Sequence, residues 1–228
     1  MVEGVDRISL DKRGFQPIDG TIDHDILSKI KDELDKFNYP TSKGGIRNVE
    51  KKLFSVEKFI KSDGLLNQAK YFLHDEPKIV RVILFNKTLE NNWLVSWHQD
   101  KTVSVSEKFV ADGWNNWSIK DNVHHVQPPI DVLNKMLTFR IHLDDTNLEN
   151  GCLKVIPKSH LNGVFKQAEI DEYKNQNTAI NCEAKAGETL VMRPLLLHSS
   201  SKATSHQPRR VLHIEFSCYQ LPEGVCWA

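Results

Sequence analysis

An imidazole and a carboxylate stand two residues apart in Trp97-His98-Gln99-Asp100. Side chains alternate along a β-strand, so His98 and Asp100 would project from one face and offer two ligands to a single metal ion. His198, in Leu197-His198-Ser199, would supply a third, and Arg209 follows eleven residues later on what reads as a further strand. Two histidines and one carboxylate cover one face of a metal's coordination sphere and leave the opposite positions open, the arrangement of non-heme Fe(II) oxygenases. Arg209 has the planar fork needed to hold the far carboxylate of a 2-oxoglutarate cosubstrate as a bidentate pair.

Spacing alone does not single out these residues. The composition predicts about one His-x-Asp triplet by chance, and the chain holds two, the second being His142-Leu143-Asp144. Between Asp100 and His198 lie 97 residues, room for a long loop and several strands, whereas Asp144 and His198 are separated by 53. Both distances are feasible and the longer is favoured. Arg209 and Arg210 are adjacent, so on a strand only one can point inward, and the spacing from His198 favours Arg209.

Longer segments separate the two triplets. Asn150-Gly151-Cys152-Leu153-Lys154-Val155-Ile156-Pro157-Lys158-Ser159-His160, Leu195-Leu196-Leu197-His198-Ser199-Ser200 and Pro208-Arg209-Arg210-Val211 resemble the phytanoyl-CoA dioxygenase family of iron and 2-oxoglutarate oxygenases. Arg13-Gly14-Phe15 with the helix after it, and Trp97-His98-Gln99-Asp100, match in kind and order, so the resemblance spans most of the chain. It implies that His98, Asp100 and His198 hold Fe(II) and carry the catalysis, that Arg209 binds 2-oxoglutarate, and that Ser200 hydrogen-bonds the same carboxylate. O2 would then convert 2-oxoglutarate to succinate and CO2 while an unactivated C–H bond of a small molecule is hydroxylated. Related halogenases leave the carboxylate position empty, so Asp100 favours hydroxylation or another oxidation. Arg140 departs from relatives that carry an aromatic residue beside the cosubstrate.

Composition fits a single catalytic domain spanning residues 1–228, a length that all-β barrels often reach as one unit. Thirty basic and thirty acidic residues give a net charge of zero, so no bulk electrostatic pull toward nucleic acid or an anionic membrane is expected. Four cysteines, at 152, 182, 218 and 226, form no Cys-x-x-Cys motif and suit a reducing compartment. With no secretory signal and no 18-residue apolar run, the chain reads as soluble and cytoplasmic. Its oligomeric state is not legible.

These residues need a scaffold. Ile26, Leu27, Ile30, Leu34 and Phe37 form a helical stripe over residues 24–37, with Thr21 and Asp23 as candidate caps. After the polar turn Ser42-Lys43-Gly44-Gly45, helical patterns recur around 49–61 and 65–73, making residues 1–77 a mainly helical support. From Lys78 the period changes: 78–85, 93–97, 136–143, 152–156, 189–193, 195–198 and 210–217 read as strands. Helices followed by strands predict a mainly β protein with helices, a double-stranded β-helix (jelly-roll, cupin-like) core over 78–220 braced by the N-terminal helices. Residues 101–131 show little regular period and read as a lid-like insertion, in which Trp114 and Trp117 either shield the open metal positions or anchor the loop to the barrel.

Further candidates follow from alternation. Leu137, Phe139, Ile141 and Leu143 share one face, and Thr138, Arg140 and His142 the other. If the polar face points into the barrel mouth, Arg140 and His142 line the cosubstrate or substrate cavity; otherwise they are surface residues. Arg47 and Lys43, beside the glycine turn, are candidates for an anionic substrate group, though basic surface residues are common. His124 and His125 read as loop histidines without a ligand role. No basic cluster marks a site for the phosphates of a CoA thioester, so the expected substrate is small and polar or natural-product-like. The other readings are a catalytically silent jelly roll that retains metal or 2-oxoglutarate as a sensor, and a structural β-domain with incidental histidines.

Overall fold

The computed structural model describes residues 7–39 and 45–228. A six-stranded antiparallel sheet and a four-stranded one form the double-stranded β-helix. Strands β1 (Phe15–Ile18), β2 (Gly45–Arg47), β3 (Lys78–Lys87), β8 (Met136–His142), β11 (Thr189–Met192) and β13 (Arg209–Ser217) make the larger sheet, in the order β1-β11-β8-β13-β3-β2. The smaller is β10-β9-β12-β4, from β4 (Val95–His98), β9 (Leu153–Val155), β10 (Ile180–Cys182) and β12 (His198–Ser200). Strands β5 (Val103–Val105), β6 (Asn115–Lys120) and β7 (Val123–Gln127) form a third sheet in the order β5-β7-β6.

Alternation on the larger sheet, interrupted by one bulge in the β13–β3 ladder, divides its chemistry. Leu137, Phe139 and Ile141 on β8, Leu212, Ile214 and Phe216 on β13, and Val82 and Leu84 on β3 are buried on the outer face. Helices α2 (His24–Asp35), α3 (Phe54–Ile60) and α4 (Asp63–Leu73) cover that face through Leu27, Ile30, Leu34, Val56, Phe59, Leu65 and Phe72. Each such side chain taken from water stabilises the fold by about 1.5–3 kcal/mol. The inner face is therefore free to be polar, and it carries Arg81, Lys87, Arg140, His142, Arg209, His213 and Glu215.

Asp23 caps α2, its carboxylate accepting from the Ile26 amide at 2.8 Å. Helix α1 (Arg7–Arg13) precedes β1, and α5 (Ile130–Asn134) and α6 (Gln167–Gln176) lie between strands. No helix among the described residues is long and apolar enough to cross a membrane. All four cysteines are free thiols.

The N-terminal third is mainly helical and also carries β1 and β2, which close opposite edges of the larger sheet. Both are too short to show a period, and Pro17 in β1 fits the edge position, where a missing N–H costs no ladder bond. Residues 101–131 are not an irregular loop but the third sheet. Its β6–β7 hairpin turns through Asp121 and Asn122, both with positive φ (50° and 62°), the signature of a type I′ turn. The segment 42–44, including Lys43, lies outside the described residues.

Arg210 points outward, to Asp144 at 2.8 and 2.9 Å and to Asp35 at 2.5 Å. Burial would raise the Asp144 pKa, but hydrogen bonds and charge from Arg210, with Lys31 beside it, hold it below its ordinary value of 3.8. A carboxylate depressed on folding adds stability above its unfolded pKa, lost as pH falls through the folded one. Asp144→Asn should therefore cost about 2 kcal/mol or more at pH 7, and the gap from wild type in denaturant midpoints should shrink below about pH 4. A gap that does not change with pH would contradict this.

Candidate active site

Pairing of β12 with β4 sets His198 directly opposite His98. Asp100 lies just beyond β4, its amide bonded to the Pro194 carbonyl at 2.9 Å. Between them Gln99 turns the other way and fixes the corner, donating to the carbonyls of Gly163 and Leu195 at 2.8 Å each and accepting from the Phe165 amide at 2.8 Å. Nε2 of His98 is 3.8 Å from one Asp100 oxygen and Nε2 of His198 3.6 Å from the other. Ligand atoms of all three residues lie within 4.8 Å of one another.

These side chains fit a divalent cation. Nδ1 of His98 sits 2.8 Å from the Ser96 carbonyl and Nδ1 of His198 2.8 Å from the Leu196 carbonyl. A carbonyl only accepts, so each Nδ1 carries the proton and each Nε2 presents a lone pair to the centre. Asp100 Oδ2 is buried without a hydrogen-bond partner. Burial opposes its ionisation, yet His198, His213, His98 and Arg81 hold the carboxyl well below its usual range. Burial pushes His198 down to about 3, keeping it neutral and able to ligate.

A cavity of about 610 Å³ opens over this cluster between the sheets. Its inner wall carries Arg140, Ser200, Arg209, His213 and Glu215, and its rim Arg47, Trp93, Leu94 and Lys120. Arg209 donates to the Gly151 carbonyl at 2.8 Å, and its Nε is buried with no partner. Arg140 lies 2.9 Å from His213 Nδ1 and likewise has a buried, unpartnered Nε. Burial lowers both, Arg209 to about 9 with help from Arg140 and Arg140 to about 10, so both remain cations at neutral pH. Ser200 Oγ donates to the Gly151 carbonyl at 2.8 Å and accepts from Lys87 Nζ at 2.8 Å. Gly151 has φ +78°, and a Cβ there would sit 2.5 Å from the Ser201 carbonyl, so no other residue leaves its carbonyl in this place.

Lys87, missed by the sequence reading, is fully buried, with Nζ bonded to Ser200 Oγ and to the Ser201 carbonyl at 2.7 Å. Burial, with Arg209 and Arg140 nearby, pushes its pKa down to about 7. Among the described residues none of Lys87, Arg140 and Arg209 has a carboxylate partner, so this end of the cavity suits a dicarboxylate.

A second network was also missed. His213 Nε2 lies 3.0 Å from Glu215 Oε1, which Arg81 Nη2 meets at 2.5 Å. Arg140 can only donate, so His213 Nδ1 accepts from it and the Nε2–H donates to Glu215. The signal was present in His213-Ile214-Glu215, two residues apart on the strand that carries Arg209. His213, Glu215 and Asp100 lie close enough to hold a metal themselves, but Arg81 and Arg140 already occupy the first two.

Other candidates are placed less centrally. Trp114 is buried and meets Phe109 edge-on at 4.8 Å between ring centres; Trp117 does so at 5.3 Å. Neither lines the cavity, so the anchoring role describes them, and the insertion reaches the rim instead through Thr102 and Lys120. His142 is on the inner face but behind the cavity wall, its Nδ1 3.1 Å from the Glu188 carbonyl and its pKa pushed by burial to about 3. Its neighbour Asp144 belongs to Arg210, and among the described residues the second His-x-Asp triplet forms no metal cluster. Arg47 does reach the cavity. Among the described residues His124 and His125 belong to no metal cluster; burial and neighbouring cations push His125 to about 4.

A jelly roll with two histidines and a carboxylate gathered between its sheets is the architecture of the iron- and 2-oxoglutarate-dependent oxygenases. Residues 10–211 match the family model of phytanoyl-CoA dioxygenase (PhyH), and the chain belongs to that family. Its enzymes use Fe(II), 2-oxoglutarate and O2. No curated protein sequence matches the chain. Solved structures share the fold: AviO1 from Streptomyces viridochromogenes Tue57 is 18% identical, covering 95% of both chains at a TM-score of 0.70. EctD from S. alaskensis, with 2-oxoglutarate and 5-hydroxyectoine, is 17% identical over 92% of this chain and 74% of its own, at 0.70. HygX from Streptomyces hygroscopicus, with nickel and 2-oxoglutarate, is 13% identical over 94% and 87%, at 0.66.

The Arg81–Glu215 pair is buried, with side chains 10% and 3% exposed. Arg81→Met leaves the Glu215 carboxylate with the His213 N–H as its remaining partner and should cost about 3 kcal/mol, part of it recovered in Arg81→Met/Glu215→Leu, where the His213 N–H loses its acceptor. Chemical denaturation measures both; a single variant as stable as wild type would show that the pair is not needed.

Proposed function

We propose that the protein is an Fe(II)- and 2-oxoglutarate-dependent dioxygenase that hydroxylates an unactivated C–H bond of a small molecule. The observation that carries this reading is the cluster of His98, Asp100 and His198, with both Nε2 atoms and an unpartnered Asp100 oxygen converging beside buried, unpaired guanidinium groups. His98, Asp100 and His198 hold the metal. Arg209 binds the far carboxylate of 2-oxoglutarate, and Ser200 turns its hydroxyl proton from the Gly151 carbonyl to the same group, with Lys87 beneath them. Arg140 is held by His213 and presents its free edge to the same end of the cavity. Bound iron and 2-oxoglutarate supply the oxidising chemistry with O2, releasing succinate and CO2.

The protein's own share is placement and exclusion of water. His213, itself fixed by Glu215 and Arg81, keeps Arg140 in place. Ile83, Phe85 and Trp93 line the cavity with apolar surface, against which a substrate can rest with its C–H bond toward the metal. That HygX holds nickel with 2-oxoglutarate and EctD holds 2-oxoglutarate with 5-hydroxyectoine supports such an arrangement in this fold.

Two measurements test the reading. Screening small molecules for stimulated succinate release, with mass spectrometry of the organic product, should find a compound that gains one oxygen atom. Asp100→Ala should abolish this turnover while the protein stays folded; succinate release unchanged in that variant would refute the assignment. Lys87→Met should raise the half-saturating 2-oxoglutarate concentration by about tenfold, the equivalent of one lost interaction of about 1.4 kcal/mol. An unchanged value would place Lys87 outside the cosubstrate site.

A further inference from the structure

The chain as a whole carries no net charge, yet its cavity does. Five cationic side chains line it, Arg47, Arg81, Lys120, Arg140 and Arg209, against two carboxylates, Asp100 and Glu215. Loading a divalent metal and dianionic 2-oxoglutarate adds charges that cancel, so the excess of three positive charges survives in the complex. Positive side chains around a low-dielectric cleft focus their field there and attract anions.

The excess is not spread evenly. Arg81 is neutralised by Glu215, and Arg140 and Arg209 face the proposed cosubstrate end. What remains is at the rim, on Arg47 and Lys120. Arg47 meets Asp121 at 3.1 Å, an acidic side chain 60% exposed at the tip of the β6–β7 hairpin, and its own Nε is buried with no partner. Lys120 forms no ion pair among the described residues. With Asp121 counted the rim keeps one net positive charge, and it gains a second when Asp121 lets go of Arg47. An exposed ion pair of this kind is worth about 0–1 kcal/mol, so a ligand can displace Asp121 at small cost.

Register places this rim at the level of the metal. Arg47 pairs with Ile83, Ile83 with His213 and His213 with Arg140, in one row across the larger sheet. Arg209 pairs with Lys87 four residues farther along β13, a separation of about 13 Å along the strand. The cavity therefore offers two anion sites, one buried at Arg209 and Ser200 and the other at the mouth, where Arg47 is joined by Lys120 of the third sheet. Phe85, paired with Val211, stands between them, and the Arg140 guanidinium leans over its ring at 5.4 Å, toward Arg209.

We propose that the substrate is a small molecule with an apolar body and an oxyanion, a carboxylate or phosphate, and that Arg47 and Lys120 hold this group at the cavity rim. This rests on the oxygenase reading above, and it names the substrate class. The body lies against Ile83, Phe85 and Trp93, and the anion fixes which carbon faces the metal. Asp121 holds Arg47 until substrate arrives and is then released to solvent.

The test uses calorimetry on the full-length protein with Zn(II) in place of iron and saturating 2-oxoglutarate. The probes are matched pairs: 3-phenylpropanoate against its methyl ester, and phenethyl phosphate against phenethyl alcohol. At least one acid should bind tenfold or more tightly than its neutral partner, and the tighter of the two acids identifies the oxyanion. Arg47→Gln/Lys120→Gln should reduce the preference below threefold and leave 2-oxoglutarate binding unchanged. Asp121→Asn, which removes the competing carboxylate from the surface, should tighten acid binding two- to threefold. Absence of any acid preference, a preference that survives the double substitution, or acid binding that 2-oxoglutarate displaces would overturn the proposal. The 2-oxoglutarate titration in the same series reports separately on the oxygenase reading, since failure there leaves the acid-to-neutral comparison readable.

Discussion

Buried charge lacking a protein partner is the constraint around which this barrel is built. Asp100 keeps an unpaired oxygen between two histidines, and Arg140, Arg209 and Lys87 stand desolvated with no carboxylate beside them. Removing charge from water costs several kcal/mol per ion unless a partner restores the interaction. The fold accepts that cost because the outer face of the same strands is so strongly apolar. Each β-branched or aromatic residue packed on the helices of the N-terminal third leaves an inward position available for a polar one. Stability and binding capacity are thus supplied by opposite faces of β8 and β13.

That division explains what was legible in the sequence. His98, Asp100 and His198 could be named because their types are restrictive and their neighbours resemble a known family. Alternation allowed only one of Arg209 and Arg210 to point inward, the spacing from His198 favoured Arg209, and the structure sends Arg210 outward to Asp35 and Asp144. The helix stripe and the long strands 78–87, 136–142 and 209–217 were readable because their periods run over many residues. Short elements were not. β1 and β2 have four and three residues and owe their strand conformation to pairing with a neighbour, which no local pattern records. The hairpin around Asp121-Asn122 carried a turn signal, but its strand β6 is exposed on most of its length and lacks the apolar alternation that marks a half-buried strand.

Lys87 and the His213–Glu215–Arg81 network escaped for a different reason. A lysine in an apolar run reads as the end of a strand, and only the register β3–β13 shows that it faces Arg209. His142 shows the converse limit. Alternation correctly gave it the inner face, but its ring lies behind the wall, bonded to the Glu188 carbonyl, because face says nothing about depth. For Trp114 and Trp117 the sequence left two roles open, shielding the metal or anchoring the segment, and only the packing of both rings on Phe109 shows where they stand.

The central claim is that one metal and one dicarboxylate meet at His98, Asp100, His198 and Arg209. An anaerobic titration of the metal-free protein with Fe(II), with and without 2-oxoglutarate, tests it most directly. The account predicts a visible charge-transfer band that appears only when both are present and that needs far more 2-oxoglutarate in Arg209→Ala. Iron binding with no band, or a band indifferent to that substitution, would contradict it.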